Sequence, residues 1–154
     1  MSLTVGSVAP DFSLTNIDRE KKSLSALKGK KVVLVFLPGA FTGVCTKEVC
    51  SFQSSLAAYS QLNAEVLAIT VDSHFANKAW ADANGIKYPV LSDYSRETIS
   101  NYGGLHFDFA GMSGYSAAKR SVFVVNEEGI ISYAWVSENP GVEPPYEEIK
   151  NALL

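Results

Sequence analysis

Val32-Val33-Leu34-Val35-Phe36-Leu37 is an unbroken run of six apolar residues, rich in β-branched side chains. Polar Lys30-Lys31 precedes it and Pro38-Gly39 ends it. A run of this length and composition reads as a strand, over Lys31 to Leu37, buried on both faces. Covering both faces requires a layer on each side, so the run commits the chain to a sheet enclosed by other elements.

The remaining segments supply those layers. Val8 to Leu14 alternates and then meets polar Thr15 to Asp18, which reads as a short strand and turn. A second short strand or bend follows near Lys22 to Leu24, and Ser23 or Ser25 is placed to cap a helical turn that stops at Gly29. After the apolar run, a helix is expected from about Cys45 to Leu62. Its positions Val49, Phe52, Leu56 and Tyr59 follow the 3.6-residue period. Glu65 to Val71 is a second buried strand. Asp72-Ser73 can cap a helix to Asn84, with Gly85 as its stop. Tyr88 to Leu91 reads as a short strand around Pro89, which suits a first position or an edge. Asp93 or Ser95 caps a helix ending before Gly103-Gly104, and Leu105 to Ala118 shows no period and reads as a loop. Ser121 to Val125 and Ile130 to Val136 are strands joined by the hairpin signal Asn126-Glu127-Glu128-Gly129. Pro145 to Leu153 is a final helix, with Pro at its start and acids in its first turn. Alternating units closed by a hairpin give an α/β protein, a mixed sheet between helix layers, in one domain over residues 1–154.

Net charge is −3, from 13 basic and 16 acidic residues without a basic cluster, which disfavours nucleic acid or an anionic membrane as the main partner. The longest apolar run falls far short of the roughly 20 residues that span a bilayer. Met1 to Gly6 has neither a basic nor an apolar leader region, so a cytoplasmic protein is expected.

Chemistry is concentrated in Pro38-Gly39-Ala40-Phe41-Thr42-Gly43-Val44-Cys45. A cysteine where a strand turns into a helix lies beside unpaired backbone N–H groups and the positive end of the helix dipole. That environment favours the thiolate, the reactive form. The only other cysteine, Cys50, is five residues on, about 140° around the helix and about 7.5 Å along it. As a helical residue it fits an inert buried thiol equally well. The two cysteines, with His74 and His106 far apart, do not match the spacings of a zinc site. Nothing in the sequence places either histidine beside Cys45 as a hydrolase base. Four residues separate the cysteines, which departs from the Cys-x-x-Cys of a thioredoxin-type reductase.

Pro38-x-x-x-Thr42-x-x-Cys45 resembles the Pro-x-x-x-Thr/Ser-x-x-Cys motif of the peroxiredoxins, thiol peroxidases on a thioredoxin-like fold. The resemblance runs from Val8-Ala9-Pro10-Asp11-Phe12 through Tyr88 to Asp93 and on to Arg120 to Val125. Ala40 to Cys45 is similar to the alkyl hydroperoxide reductase E branch, and the Cys45/Cys50 spacing to the bacterioferritin comigratory protein branch. This resemblance implies a hydroperoxide substrate, thioredoxin or another thiol as reductant, and no metal, haem or flavin. It implies a homodimer, although monomers occur in the second branch.

The resemblance also assigns roles. Cys45 is the peroxidatic nucleophile and becomes a sulfenic acid. Arg120 stabilises the thiolate and the charge developing on the peroxide oxygens. Thr42 orients sulfur and peroxide, Pro38 shields the sulfur, and backbone N–H groups near Val44 complete the pocket. Glu48, by position a first-turn acid, braces the network in many relatives. Cys50 is the resolving cysteine by the second branch's spacing, which requires the first helical turns to unwind because a disulfide needs Cβ atoms about 3.5–4.5 Å apart. Trp80, Phe107 and Phe109 read as core or subunit-contact residues, and Phe41 as an apolar pocket group that admits organic peroxides. Two other functions stay open on the residues: a thiol–disulfide oxidoreductase and a non-catalytic redox sensor or holdase. Reductases of this fold carry a cis-proline where this chain has Ala117-Ala118-Lys119-Arg120, which disfavours the first.

Overall fold

The computed structural model describes residues 3–154. Met1 and Ser2, which open the stretch searched for a leader and the span taken as one domain, lie outside the described residues. The apolar run is strand β3 (Lys31–Phe36), following the short strands β1 (Ser13–Thr15) and β2 (Lys21–Ser23). Next come α1 (Gly43–Ser54), α2 (Leu56–Gln61), β4 (Ala64–Thr70), α3 (His74–Asn84) and β5 (Val90–Ser92). The chain continues with α4 (Glu97–Asn101), β6 (Leu105–His106), β7 (Ala117–Ala118), β8 (Ser121–Val125), β9 (Ile131–Val136) and α5 (Tyr146–Asn151). Seven strands form one mixed sheet in the order β2-β1-β5-β4-β3-β8-β9, with β3 parallel to β4 and antiparallel to β8.

Strand alternation divides the core between the two faces. Val33, Val35 and Leu37 pack with Cys45, Val49 and Phe52 of α1, Trp80 of α3 and Ile149 of α5. Val32, Leu34 and Phe36 pack on the opposite face with Phe12, Ile99, Tyr102 and Phe123. Each fully buried Val or Leu contributes about 1.5–3 kcal/mol, so this strand alone anchors both layers.

α3 keeps both expected ends: Ser73 Oγ accepts from Ala76 N, and Gly85 takes the left-handed conformation that closes the helix. At α4, Asp93 accepts from Ile99 N at 2.7 Å, whereas Arg96 in the left-handed region occupies the cap position. Gly103 follows, where a Cβ would come 2.6 Å from Ser121 Oγ on β8, so no larger residue fits without displacing that side chain.

Five expectations are corrected. The helix expected over Cys45 to Leu62 is two helices broken at Ser55, whose ψ of 2° leaves the helical region. Ser51 Oγ and Ser54 Oγ donate to the carbonyls of Lys47 and Cys50, four residues back, and such bonds bend a helix. The turn after β2 is a 3₁₀ turn, Ser25–Leu27, without a serine cap; Asp11 Oδ1 accepts the Ser25 N–H instead. The Leu105–Ala118 loop contains the β6–β7 ladder, too short to carry a period. The strand read over Val8 to Leu14 is confined to Ser13–Thr15, and Val8 makes only an isolated bridge to Ile130. Finally, β5 is an internal strand that begins after Pro89, so the proline interrupts no ladder and marks no edge.

Candidate active site

The carboxyl ends of parallel β3 and β4 open on the same side of the sheet, the usual place for a site in an α/β fold. Leu37 N donates to Ile69 O, extending the pairing by one residue, and the chain then turns through buried Pro38 and Gly39. Ala40 N donates to Asp72 Oδ2 at 2.8 Å, so a residue two positions past the end of β4 fixes the loop after β3. Phe41 sits at φ 66°, in the left-handed region, at a cost of order 1–3 kcal/mol for a bulky residue. Thr42 returns to extended backbone and α1 begins. The first intrahelical bond runs from Thr46 N to Thr42 O, leaving the N–H groups of Gly43, Val44 and Cys45 ahead of the ladder.

Cys45 is fully buried in the first turn of α1, with Arg120 Nη2 donating to its sulfur at 3.3 Å. Arg120 comes from 75 positions away, between β7 and β8, and is only 2% exposed. Its Nη1 donates to Glu48 Oε1 at 2.9 Å, while Nε and Nη2 donate to the Pro140 carbonyl at 3.0 and 2.8 Å. Burial works against the guanidinium's charge, yet the facing Cys45 and Glu48 hold its pKa above the ordinary value. Glu48 lies in the second turn of α1, fully buried, and its Oε2 has no partner among the described residues. Burial raises its pKa from 4.5 to about 7; Arg120 draws it down and nearby Glu143 pushes it up.

The candidate residues fall into two groups. Cys45, Arg120 and Glu48 form one buried cluster, with Pro38 buried in the adjoining loop and Val44 half-buried beside Cys45. Thr42 is at the mouth, but its hydroxyl donates to Gly39 O at 3.0 Å and not to sulfur. Cys50 lies apart, half-buried, with its sulfur 3.9 Å from Asn84 Oδ1 of α3. Trp80 is a core residue whose Nε1 donates to Thr46 Oγ1 at 3.0 Å, tying α3 to the turn that carries Cys45. Phe107 is exposed and Phe109 half-buried in a 3₁₀ turn. Phe41 is exposed at the mouth, not folded over the pocket. No group of three or more His, Cys, Asp or Glu side chains is placed to hold a metal among the described residues.

Sequence reasoning missed Asp72, Pro140, Glu143 and Tyr146. Glu143 binds Lys47 at 3.1 Å and accepts from Tyr146 at 2.8 Å, clipping the segment before α5 onto α1. Asp72 had a usable signal, a carboxylate at the end of the strand next to β3. The Pro140 contact had none, because a carbonyl belongs to every residue.

The AhpC/TSA family matches residues 5–134. The chain belongs to this family, the peroxiredoxins. It is 36% identical over 141 residues to alkyl hydroperoxide reductase E of Mycobacterium tuberculosis, across 90% of this chain and 88% of that one. It is 36% identical over 135 residues to the putative peroxiredoxin bcp of Coxiella burnetii, across 88% and 89%. Among solved structures, peroxidoxin BcpB from M. tuberculosis superposes with a TM-score of 0.86 at 25% identity, covering 98% of this chain and 96% of that one. AhpC of Enterococcus faecalis gives 0.84 at 31% identity, covering 99% and 91%. The peroxiredoxin is thus a thiol-dependent peroxidase with the thioredoxin-like fold of its relatives. No helix among its described residues is long and apolar enough to cross a membrane.

Proposed function

We propose that this peroxiredoxin, as one domain, reduces hydrogen peroxide and organic hydroperoxides at Cys45. The single observation that carries the reading is the 3.3 Å bond from Arg120 Nη2 to the Cys45 sulfur, with both residues buried. The thiolate attacks the terminal peroxide oxygen and an S–O bond forms as the O–O bond breaks. The leaving oxygen departs with the bonding pair, takes a proton, and is released as water or an alcohol; the sulfur is left as a sulfenic acid. Arg120 carries five N–H donors, of which Pro140, Glu48 and Cys45 occupy four. The fifth is available to the peroxide oxygens as their charge grows. The N–H groups that precede the α1 ladder add donors on the other side. Pro38 and Val44 wall the pocket, and Thr42 reaches the peroxide by turning its hydroxyl from Gly39 O. Phe41 at the mouth takes the alkyl part of an organic substrate.

In the second half-reaction the Cys50 thiol attacks the sulfenic sulfur, water leaves, and a disulfide joins the two cysteines. Both lie in α1, so the first two turns must unwind for the sulfurs to meet. Thioredoxin or another dithiol then reduces the disulfide. The electrons come from thiols throughout, with no metal, haem or flavin. Two cysteines in 154 residues do not make a disulfide scaffold, which suits a reducing compartment such as the cytoplasm. A homodimer is the assembly we expect, with the large, exposed Phe107 as a candidate subunit contact.

The test is peroxide consumption with a thioredoxin system for wild type, Cys45→Ser and Cys50→Ser, with non-reducing mass spectrometry after one equivalent of peroxide. Turnover that survives Cys45→Ser rejects the assignment. Oxidation of Cys45 without turnover would favour the sensor, and insulin reduction the oxidoreductase. A stable sulfenic acid on Cys45 beside a free Cys50 would leave a one-cysteine mechanism with an external thiol.

A further inference from the structure

Arg120 ends in a long, rotatable side chain, and something must fix the angle at which its fork meets the sulfur. Glu48 takes one N–H of the fork; the Pro140 carbonyl takes two, along the Nε–Nη2 edge. That carbonyl belongs to the Pro140–Gly141 peptide unit, whose N–H donates to Asn139 Oδ1 at 2.9 Å. The C=O and N–H of one planar peptide point in opposite directions, so holding the N–H sets the direction of the carbonyl. Asn139 is itself held: its N–H donates to Ser137 Oγ at 3.1 Å, and Ser137 Oγ donates to Asn139 O at 2.8 Å. The ring closes because Ser137 N donates to the backbone carbonyl of Arg120 at 2.9 Å. Gly141 leaves room for it, since a Cβ there would come 3.2 Å from Asn139 Oδ1.

We propose that Asn139 is a positioning residue for peroxide reduction: through the Pro140–Gly141 peptide it sets the orientation of Arg120 toward Cys45. The inference rests on the roles given to Cys45 and Arg120 above. A carbonyl is suited to this task because it orients the guanidinium without cancelling its charge, as a second carboxylate would. Asn139 and Gly141 are exposed and outside both core clusters, so changing them leaves the packing intact.

The experiment is stopped-flow reaction of the reduced protein with hydrogen peroxide, read by tryptophan fluorescence, for wild type, Asn139→Ala, Asn139→Asp and Arg120→Gln. Asn139→Ala should slow the oxidation of Cys45 about tenfold or more, since misplacing a reacting group by an ångström costs up to about a hundredfold. Asn139→Asp keeps the acceptor for Gly141 N and should return the rate to within about threefold of wild type, with thermal melts unchanged for both. An Asn139→Ala rate equal to wild type, or no recovery in Asn139→Asp, overturns the proposal. If Arg120→Gln is slow while Asn139→Ala is fast, only this inference falls. If Arg120→Gln reacts like wild type, the role given to Arg120 falls with it.

Discussion

The two cysteines share one helix and have opposite surroundings. Cys45 is fully enclosed and faces a guanidinium delivered from the junction between β7 and β8, with a carboxyl and a carbonyl behind it. Cys50, about 1.4 turns later, is half-buried, packs against the core and has the amide of Asn84 as its polar neighbour. The difference teaches that sharing a helix does not give two sulfurs the same surroundings. What distinguishes Cys45 is the carboxyl end of β3 beneath it, where Arg120 and the Asp72-anchored loop come to the same point.

Changes at the two cysteines and their partners can break or sharpen this contrast. Cys45→Ser should lower peroxide turnover by on the order of a thousandfold or more, measured in the coupled thioredoxin assay. Arg120→Gln should lower the second-order rate of Cys45 oxidation by about a hundred- to a thousandfold, as removal of a preorganised donor does. A stopped-flow rate near wild type for this variant would erase the distinction between the two sulfurs. Cys50→Ser should leave that first rate within about twofold while abolishing the intramolecular disulfide on non-reducing mass spectrometry.

The buried side of the contrast also titrates. Glu48 has its pKa raised by burial from 4.5 to about 7. A group raised on folding contributes stability that is full below the unfolded value and lost as pH climbs through the folded one. Wild type should therefore lose stability between pH 4.5 and 7, by up to about 3 kcal/mol, as urea midpoints would record. Glu48→Gln should flatten that window; an unchanged slope would show that another group titrates there. The smallest effect belongs to the Cys50 side: Asn84→Ala should cost less than about 1 kcal/mol, because a sulfur contact of 3.9 Å is weak.

Much of the scaffold was legible in the residues. The runs at β3, β4 and β8 predict buried strands, and Ser73 with Gly85 marks both ends of α3, because these signals are local and chemical. The Ser55 break was not legible, since the apolar period of Val49, Phe52, Leu56 and Tyr59 runs straight through it and no Gly or Pro interrupts. The β6–β7 ladder escaped because it joins two-residue segments across a loop. At the site, Cys45 was marked by its strand-to-helix junction. The residues alone gave no means of pairing it with Arg120, and that came through the family motif. By position Glu48 reads as a first-turn acid; because α1 starts at Gly43 it lies in the second turn, where it pairs with Arg120 as the family resemblance implies.

The interruption at Ser55 has a bearing on how oxidation could spread through the molecule. α1 ends there, and α2 restarts with Tyr59 anchored in the core on its own account. A helix continuous to Leu62 would have to transmit any fraying of its amino end toward β4. With the break, the hydrogen-bond ladder that holds Cys45 is a short segment with its own opening free energy. Amide protons from Thr46 to Phe52 should then exchange with solvent well before those of β4, and the proposed disulfide step would leave the sheet closed while the helix above it is remade.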